Sequence, residues 1–363
     1  MDIMWRSRRD FLRLSGIAAG ALCLGGLLEA CGGSAAPASS AAGPASAKPA
    51  GSASAAASPA GSAAAKAGIP KLTVSYGSPV GSFAPLWMAK EIGAFDKYGV
   101  AVEMPLIETA TAMQSMIAGG IDVQEVSAAP VITADLNGKL DIVFIASCLN
   151  RPILALYTKN SITSADQLKG KIIASDKPGT PVDYSAQVSL KLLGLKPSDV
   201  QIRPIGNAAD ILAAMLSGQV DAGIVAPPQS FQVEGQGFHV LRDIFDQPYQ
   251  NTGLVARKSR FDQLAAGLKP LLAAYRDGIA AWKAQPDLAL KVLDQYAKIG
   301  DPVIAKKTYD FYSTMAAFEP SMQPTMQGIQ AMVDFLSDTV PAAKNAKADQ
   351  FVDLRFLSDL PKA

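Results

Sequence analysis

The sequence contains few side chains of the kinds that ligate metals or act as nucleophiles. It has one histidine, His239, and three cysteines, Cys23, Cys31 and Cys148. Because a structural or catalytic zinc site takes several His, Cys or carboxylate ligands, a His/Cys metal cluster cannot be assembled from this set. Neither the Gly-x-Ser-x-Gly nucleophile motif nor the phosphate-binding Gly-x4-Gly-Lys-Ser/Thr motif occurs. We therefore predict no metal site, no cofactor and no catalytic residue.

The cysteine that could carry chemistry is Cys31. Leu28, Ala30 and Gly32 around it resemble a bacterial lipobox, in which the cysteine is acylated and becomes the new amino terminus. Glu29 departs from the small or apolar residue that is usual at that position. The pattern predicts that Cys31 is lipidated, whereas Cys23 reads as an ordinary apolar residue.

The residues before Cys31 have the pattern of an export signal. Arg8 and Arg9, followed by Phe11 and Leu12, fit the twin-arginine motif. The apolar run that follows, residues 14–28, is diluted by glycines and is shorter than the roughly 20 residues that a membrane-spanning helix needs. We predict that residues 1–30 are a twin-arginine lipoprotein signal peptide; the alternative is a retained anchor helix.

A low-complexity segment follows the candidate lipidation site. Residues 32–68 contain only Ala, Ser, Gly and Pro apart from Lys48 and Lys66. Such a segment cannot bury enough apolar surface to offset the entropy lost on ordering. We predict that residues 31–68 comprise the acylated Cys31 and a disordered tether, with the globular part of the chain beginning near Ile69.

The globular part contains an internal repeat. The stretch MIAGGIDVQEV begins at Met116 and MLSGQVDAGIV begins at Met215, so that Asp122 and Asp221 lie 99 positions apart. A nearly constant offset relates further landmarks, which indicates two copies of one strand–helix unit, residues 71–159 and 171–258, although chance similarity of α/β patterns is the alternative. Alternating strands and helices predict an α/β fold with parallel strands.

Two such units predict a two-lobed clamshell, each lobe a mixed or parallel sheet flanked by helices. We expect lobe one to comprise residues 69–158 and 254–345, lobe two residues 159–253, and a tail residues 346–363. Residues 261–338 carry apolar residues at three- and four-residue spacing and so predict a helical C-terminal segment that belongs to lobe one. The runs 153–159 and 252–258 are hinge candidates because the chain passes between lobes there.

Candidate ligand-binding residues lie in the loops that follow strands, because ligands of open α/β sheets bind at the carboxyl ends of the strands. Five polar residues precede or open predicted helices there, where free N–H groups favour anions: Ser82, Thr109, Ser127, Thr180 and Asn207. Each could equally be an ordinary helix cap.

Three larger side chains complete the candidate set. Phe83 and Tyr184 follow matching loops of the two lobes and could close over an apolar part of a ligand, or pack in the core. Arg151 is the cation placed to meet an anion near the passage between lobes, or a surface arginine. The chain has a net charge of +1 and shows no basic stripe, which argues against nucleic acid.

Four stretches resemble a known family: residues 84–95, 97–102, 168–171 and 216–222. They are similar to the solute-binding proteins of ABC importers with type II topology, in the group of nitrate, sulfonate and taurine binders and their thiamine-pyrimidine-synthase-like relatives. The resemblance implies a periplasmic-binding-protein fold that closes about a hinge on a small molecule.

The resemblance also implies partners and a location. The expected partners are a small anionic or polar organic ligand, an ABC permease with its ATPase, and a membrane reached through the lipid anchor. The chain is expected to be monomeric, extracytoplasmic and anchored to a bacterial membrane. The alternatives are a ligand-binding partner of a membrane sensor, or an enzyme such as some relatives are.

Overall fold

Ten β-strands form two mixed sheets in a computed structural model that describes residues 68–138 and 140–360. The predicted signal peptide, Cys31 and nearly all of the predicted tether lie outside the described residues. The described part lies in the unit that spans residues 65–363. Within it, no helix combines the length and the apolar character needed to cross a membrane.

The strands have these bounds: β1 Lys71–Tyr76, β2 Ala101–Glu103, β3 Val123–Val126, β4 Ile142–Ser147, β5 Ala155–Lys159, β6 Ile172–Ser175, β7 Gln201–Pro204, β8 Ala222–Val225, β9 Phe238–Asp243 and β10 Gly253–Arg257. The helices have these bounds: α1 Ala84–Glu91, α2 Ala94–Lys97, α3 Thr109–Ile117, α4 Ala128–Gly138, α5 Ala165–Leu168, α6 Pro181–Leu192, α7 Ala208–Leu216, α8 Gln229–Glu234, α9 Phe261–Ala284, α10 Pro286–Ala297, α11 Pro302–Ser313 and α12 Met326–Leu336.

The two sheets have matching strand orders. The first runs β2-β1-β3-β10-β4 and the second β7-β6-β8-β5-β9, so each position in one sheet has a counterpart in the other. Strands β1, β2 and β3 are parallel, as are β6, β7 and β8, and the next strand in each sheet is antiparallel to them. The predicted α/β class with two mixed sheets flanked by helices is confirmed. We call the first sheet with its helices lobe one and the second lobe two.

The two repeat aspartates make the same hydrogen bond in both lobes. The carboxylate of Asp122 accepts from the N–H of Thr73 at 2.8 Å, and that of Asp221 accepts from the N–H of Ile172 at 3.2 Å. In each case the carboxylate ties the start of its own strand to the parallel strand beside it. The glycine two residues after the preceding helix adopts positive φ in both copies, which ends α3 and α7 alike.

The links between the sheets differ from the predicted hinges. β5 and β10 are paired on both sides within their sheets, so the runs 153–159 and 252–258 are largely fixed by ladder hydrogen bonds. The chain passes between sheets in residues 148–154 and 244–252, which precede these strands. We call these segments link one and link two. The sequence correctly predicts that residues 155–159 are extended, but it assigns most of them to lobe one, whereas β5 belongs to the sheet of lobe two.

The C-terminal helices contact both lobes. α9 lies against α1, α10 and β1, and α12 lies against α4, all in lobe one. α11 packs against α8 of lobe two and against the turn before α1. Beyond them, the predicted tail is packed too, since Phe351 and Phe356 are buried in lobe one.

Candidate ligand-binding site

Two of the predicted polar residues cap helices that follow the parallel strands β6 and β7 of lobe two. Thr180 caps α6 by accepting from the N–H of Asp183 at 3.3 Å. Asn207 caps α7 by accepting from the N–H groups of Ala209 and Asp210, at 2.9 and 3.3 Å. Their side-chain oxygens are therefore engaged by their own helices.

Thr109 does not cap its helix, because the preceding residue does. Glu108 accepts from the N–H groups of Ala110 and Thr111 at 3.0 and 3.1 Å. Burial raises the pKa of the Glu108 carboxyl, but these hydrogen bonds and the charge of Lys177 bring it below its usual range. Lys177 follows β6 in lobe two, so this attraction acts between the lobes.

Ser82 and Phe83 are buried in lobe one. Ser82 lies in the turn before α1, where its carbonyl accepts from the thiol of Cys148 at 3.8 Å. The ring of Phe83 packs on Tyr76 and Trp87, with centroids 5.9 and 6.5 Å apart. Both residues thus serve the packing of the loop that follows β1.

Tyr184 lies in a different cluster from Phe83, so the predicted aromatic pair is not formed. Its ring stacks on Tyr249 of link two at 5.2 Å and meets the edge of Phe335 of α12 at 5.0 Å. Its hydroxyl donates to the carbonyl of Pro248 at 3.3 Å. Tyr184 therefore joins lobe two to link two and to a helix of lobe one.

The remaining two predicted residues lie near the links. Ser127 is half-buried immediately before α4. Arg151 is exposed in link one, and its carbonyl accepts from the side-chain amide of Asn251 at 3.0 Å, which ties link one to link two. Its guanidinium lies at the surface, in keeping with the surface-arginine alternative.

Glu125, at the end of β3, is a functional-site candidate that the sequence reasoning missed. Its carboxyl group is buried and accepts a short hydrogen bond, 2.5 Å, from the hydroxyl of Tyr275, while the thiol of Cys148 lies 4.0 Å away. The second carboxyl oxygen has no hydrogen-bond partner. Burial raises the pKa of Glu125 well above its usual range, which favours the neutral form of the carboxyl group. An acidic residue within a short strand that begins and ends with valine was the available signal.

Tyr312 of α11 connects the lobes. Its fully buried ring packs against Gly81, where an added Cβ would lie 2.4 Å from the ring. Its hydroxyl lies 3.5 Å from the carbonyl of Pro227, just after β8 in lobe two. Together with Tyr184, this residue holds lobe two against the helices of lobe one.

A cavity of about 180 Å³ lies between the edge of lobe two and α11. Its walls come from the end of link one, β5, the end of β8, the start of α8, link two and α11. The side chains that shape it include Tyr157, Ser230, Phe231, Phe245, Phe311 and Met315. None of its lining residues is charged, and none is among the eight ligand contacts predicted from the sequence.

Comparison with known proteins found a family and several similar folds. A family model described as NMT1/THI5 like matches residues 81–289, more than half of the chain. Comparison with curated protein sequences returned no match.

Among solved structures, the periplasmic aliphatic sulphonate-binding protein SsuA from Escherichia coli is 18% identical with a TM-score of 0.65, and the alignment covers 78% of this chain and 92% of that one. The alkanesulfonate-binding SsuA from Xanthomonas axonopodis pv. citri, bound to MOPS, is 16% identical with a TM-score of 0.60, covering 80% and 97%. A mutant of the desulfurization enzyme DszB with biphenyl-2-sulfinic acid is 15% identical with a TM-score of 0.62, covering 80% and 98%. At these identities the likeness shows the fold.

Proposed function

Because the chain belongs to the NMT1/THI5-like family, we propose that it is the extracytoplasmic, lipid-anchored solute-binding component of an ABC importer. The observation that carries this proposal is the matched strand order of two sheets joined by two links, which is the construction of a clamshell. The names of the sulfonate-binding neighbours support a binding role. The expected partners are a small-molecule ligand and a permease with its ATPase.

Ligand capture would act by hinge closure. The contacts of Tyr312 with Pro227, and of Tyr184 with Phe335, join the two lobes, and opening of the clamshell would break them. A ligand that touches both lobes binds the closed form better than the open form, and so shifts the equilibrium toward closure. The two links would supply the bending backbone.

Small-angle scattering on the full chain tests closure. The radius of gyration should be smaller with retained cargo, identified by native mass spectrometry, than after the cargo has been removed by unfolding and refolding. Tyr312→Ala should weaken the compaction, whereas Asp310→Ala, on the exposed face of the same helix, should leave it unchanged. An identical radius with and without saturating cargo would remove the basis for hinge closure.

Lipid anchoring is tested separately. Cells that express the chain and are fed an alkyne-labelled fatty acid should label it, and Cys31→Ala should abolish the label and release the protein from membranes. Cys148→Ala is the matched control and should keep the label. Label retained in Cys31→Ala would contradict the predicted lipidation.

Two other functions share the same fold. A ligand-binding partner of a membrane sensor would use the same clamshell, and a neighbouring histidine-kinase gene would favour it over permease and ATPase genes. An enzyme that uses a cysteine nucleophile would need a reactive thiol. Within residues 68–138 and 140–360 the thiol is that of Cys148, and burial raises its pKa well above its usual range. Such a thiol is a poor nucleophile, so the geometry does not favour cysteine-based catalysis.

A further inference from the structure

We propose that the ligand is a small, uncharged, largely apolar molecule, about the size of one aromatic ring with a single polar group, and that it occupies the cavity between lobe two and α11. This inference rests on the proposed solute-binding function and specifies its ligand class. The cavity lies where the lobes meet, with Val225 and Pro227 at the end of β8 on one side and Phe311 of α11 on the other. A guest there would touch both moving parts.

The size of the cavity sets the size of the guest. A cavity of about 150 Å³ lined by apolar side chains holds a benzene molecule. The volume here is about 180 Å³, enough for one ring with one small substituent. Met315 lines the cavity and is 53% exposed, so this side chain lies at the mouth.

The walls favour a flat apolar guest. Phe245 of link two and Phe311 meet edge to face, with centroids 5.5 Å apart. Phe231 and Tyr157 supply two further rings from lobe two. Small-molecule sites typically combine such aromatic walls with few, well-placed polar groups.

The charges around the cavity argue against an anion. No lysine, arginine or histidine lines it. Lys307 lies over the ring of the lining residue Phe231, 5.5 Å from its centroid, but Glu234 shares its charge, so a buried sulfonate would gain little counter-charge. The charges immediately behind the lining are already paired: Lys307 lies 3.8 Å from Glu234, which also accepts from the hydroxyl of Tyr157 at 3.2 Å. A carboxylate behind the wall makes the site still less favourable for an oxyanion.

One buried polar pair lies in the wall. Ser230 of α8 is 1% exposed, and its hydroxyl lies beside the hydroxyl of Tyr157, with which it shares a hydrogen bond. These two hydroxyls are the polar part of an otherwise apolar lining, and a hydroxyl oxygen can take part in more than one hydrogen bond. They therefore identify where the polar group of the guest would sit.

The test uses the full chain, freed of cargo by unfolding and refolding, with phenol, benzene and benzenesulfonate as probes. Calorimetry and ligand-observed NMR should show phenol binding roughly tenfold more tightly than benzene, because of one hydrogen bond, and at least ~100-fold more tightly than benzenesulfonate. Ser230→Ala should remove the difference between phenol and benzene.

Two further variants distinguish binding in this cavity from non-specific binding of phenol to the protein. Met315→Trp fills the mouth at an exposed position and should abolish phenol binding. Ala280→Trp fills the rim of a separate cavity of about 140 Å³ beside Trp282 and Phe318, and should leave phenol binding unchanged.

Phenol binding that survives Met315→Trp, or tighter binding of benzenesulfonate, would overturn the inference. A charged cargo that compacts the chain while phenol fails to bind would also overturn it, yet leave the solute-binding function standing. Failure to find any cargo, probe binding or compaction would count against both.

Discussion

Glu125→Gln should make the stability of the chain less dependent on pH. In the folded chain Glu125 is 1% exposed, and burial raises the pKa of its carboxyl well above its usual range. In the unfolded chain the same group ionises with a pKa of about 4.3. Between these two values the folded state binds one more proton than the unfolded state, so the stability is lost as the pH rises.

The magnitude follows from the proton count. One proton released on unfolding lowers the free energy of unfolding by about 1.4 kcal/mol for each pH unit. Over the part of the range from pH 5 to pH 7 that lies below the raised pKa of the folded state, Glu125 should lower the free energy of unfolding with this slope, by at most about 2.7 kcal/mol. Glutamine cannot ionise, and its carbonyl oxygen can still accept from the hydroxyl of Tyr275. The variant should lose this pH slope.

Urea unfolding, followed by circular dichroism at pH 5, 6 and 7, measures the slope. The matched control is Glu103→Gln, because this exposed carboxylate forms only a surface ion pair with Lys71 at 2.7 Å. The control should keep the slope of the native chain. Equal slopes for Glu125→Gln and the native chain would refute the assignment of a buried neutral acid.

Further predictions concern the repeat, a helix contact and the thiol. Asp122→Ala and Asp221→Ala each leave a strand N–H without its acceptor and should each lower the free energy of unfolding by about 1–3 kcal/mol, with Asn restoring part of it. A loss at only one site would contradict their equivalence. Gly278→Ala places a methyl group 2.1 Å from a backbone oxygen of α1 and should cost about 1–3 kcal/mol in urea unfolding, whereas Gly235→Ala, with no atom closer than 3.6 Å, should cost less than about 0.5 kcal/mol. Cys148 is fully buried with a raised thiol pKa, so iodoacetamide should modify it in urea but not in the native chain; equal rates would show that it is accessible.

The repeat and the fold class could be predicted from the sequence because they rest on local patterns. A helix that ends at glycine, followed by aspartate and an apolar strand, recurs with Asp122 and Asp221, and both make the same bond. The family resemblance is confirmed by the family model that matches residues 81–289, a range that contains all four motifs. Local patterns do not state which sheet receives a strand, and β5 was therefore placed in the wrong lobe.

The candidate site was harder to predict because its parts are distant in sequence. The cavity joins Tyr157 and Ser230 of lobe two to Phe311 of α11, and no local pattern relates them. The predicted cap of α3, Thr109, is wrong by one residue, because the helix is capped by Glu108. Both residues carry side-chain oxygens that can accept from helix N–H groups. The choice depends on the residue at which the helical backbone begins, which the sequence does not give.

The position of β10 has a consequence for synthesis of the chain. Within residues 68–138 and 140–360, β4 pairs with no strand other than β10, and β3 is joined to it only through β10. Until the ribosome has added Gly253–Arg257, about a hundred residues after β4, the backbone N–H and C=O groups of β4 have no strand to pair with. A polypeptide released early would expose two naked sheet edges of the kind that aggregate. The first half of this molecule is therefore finished only when the second half has been made.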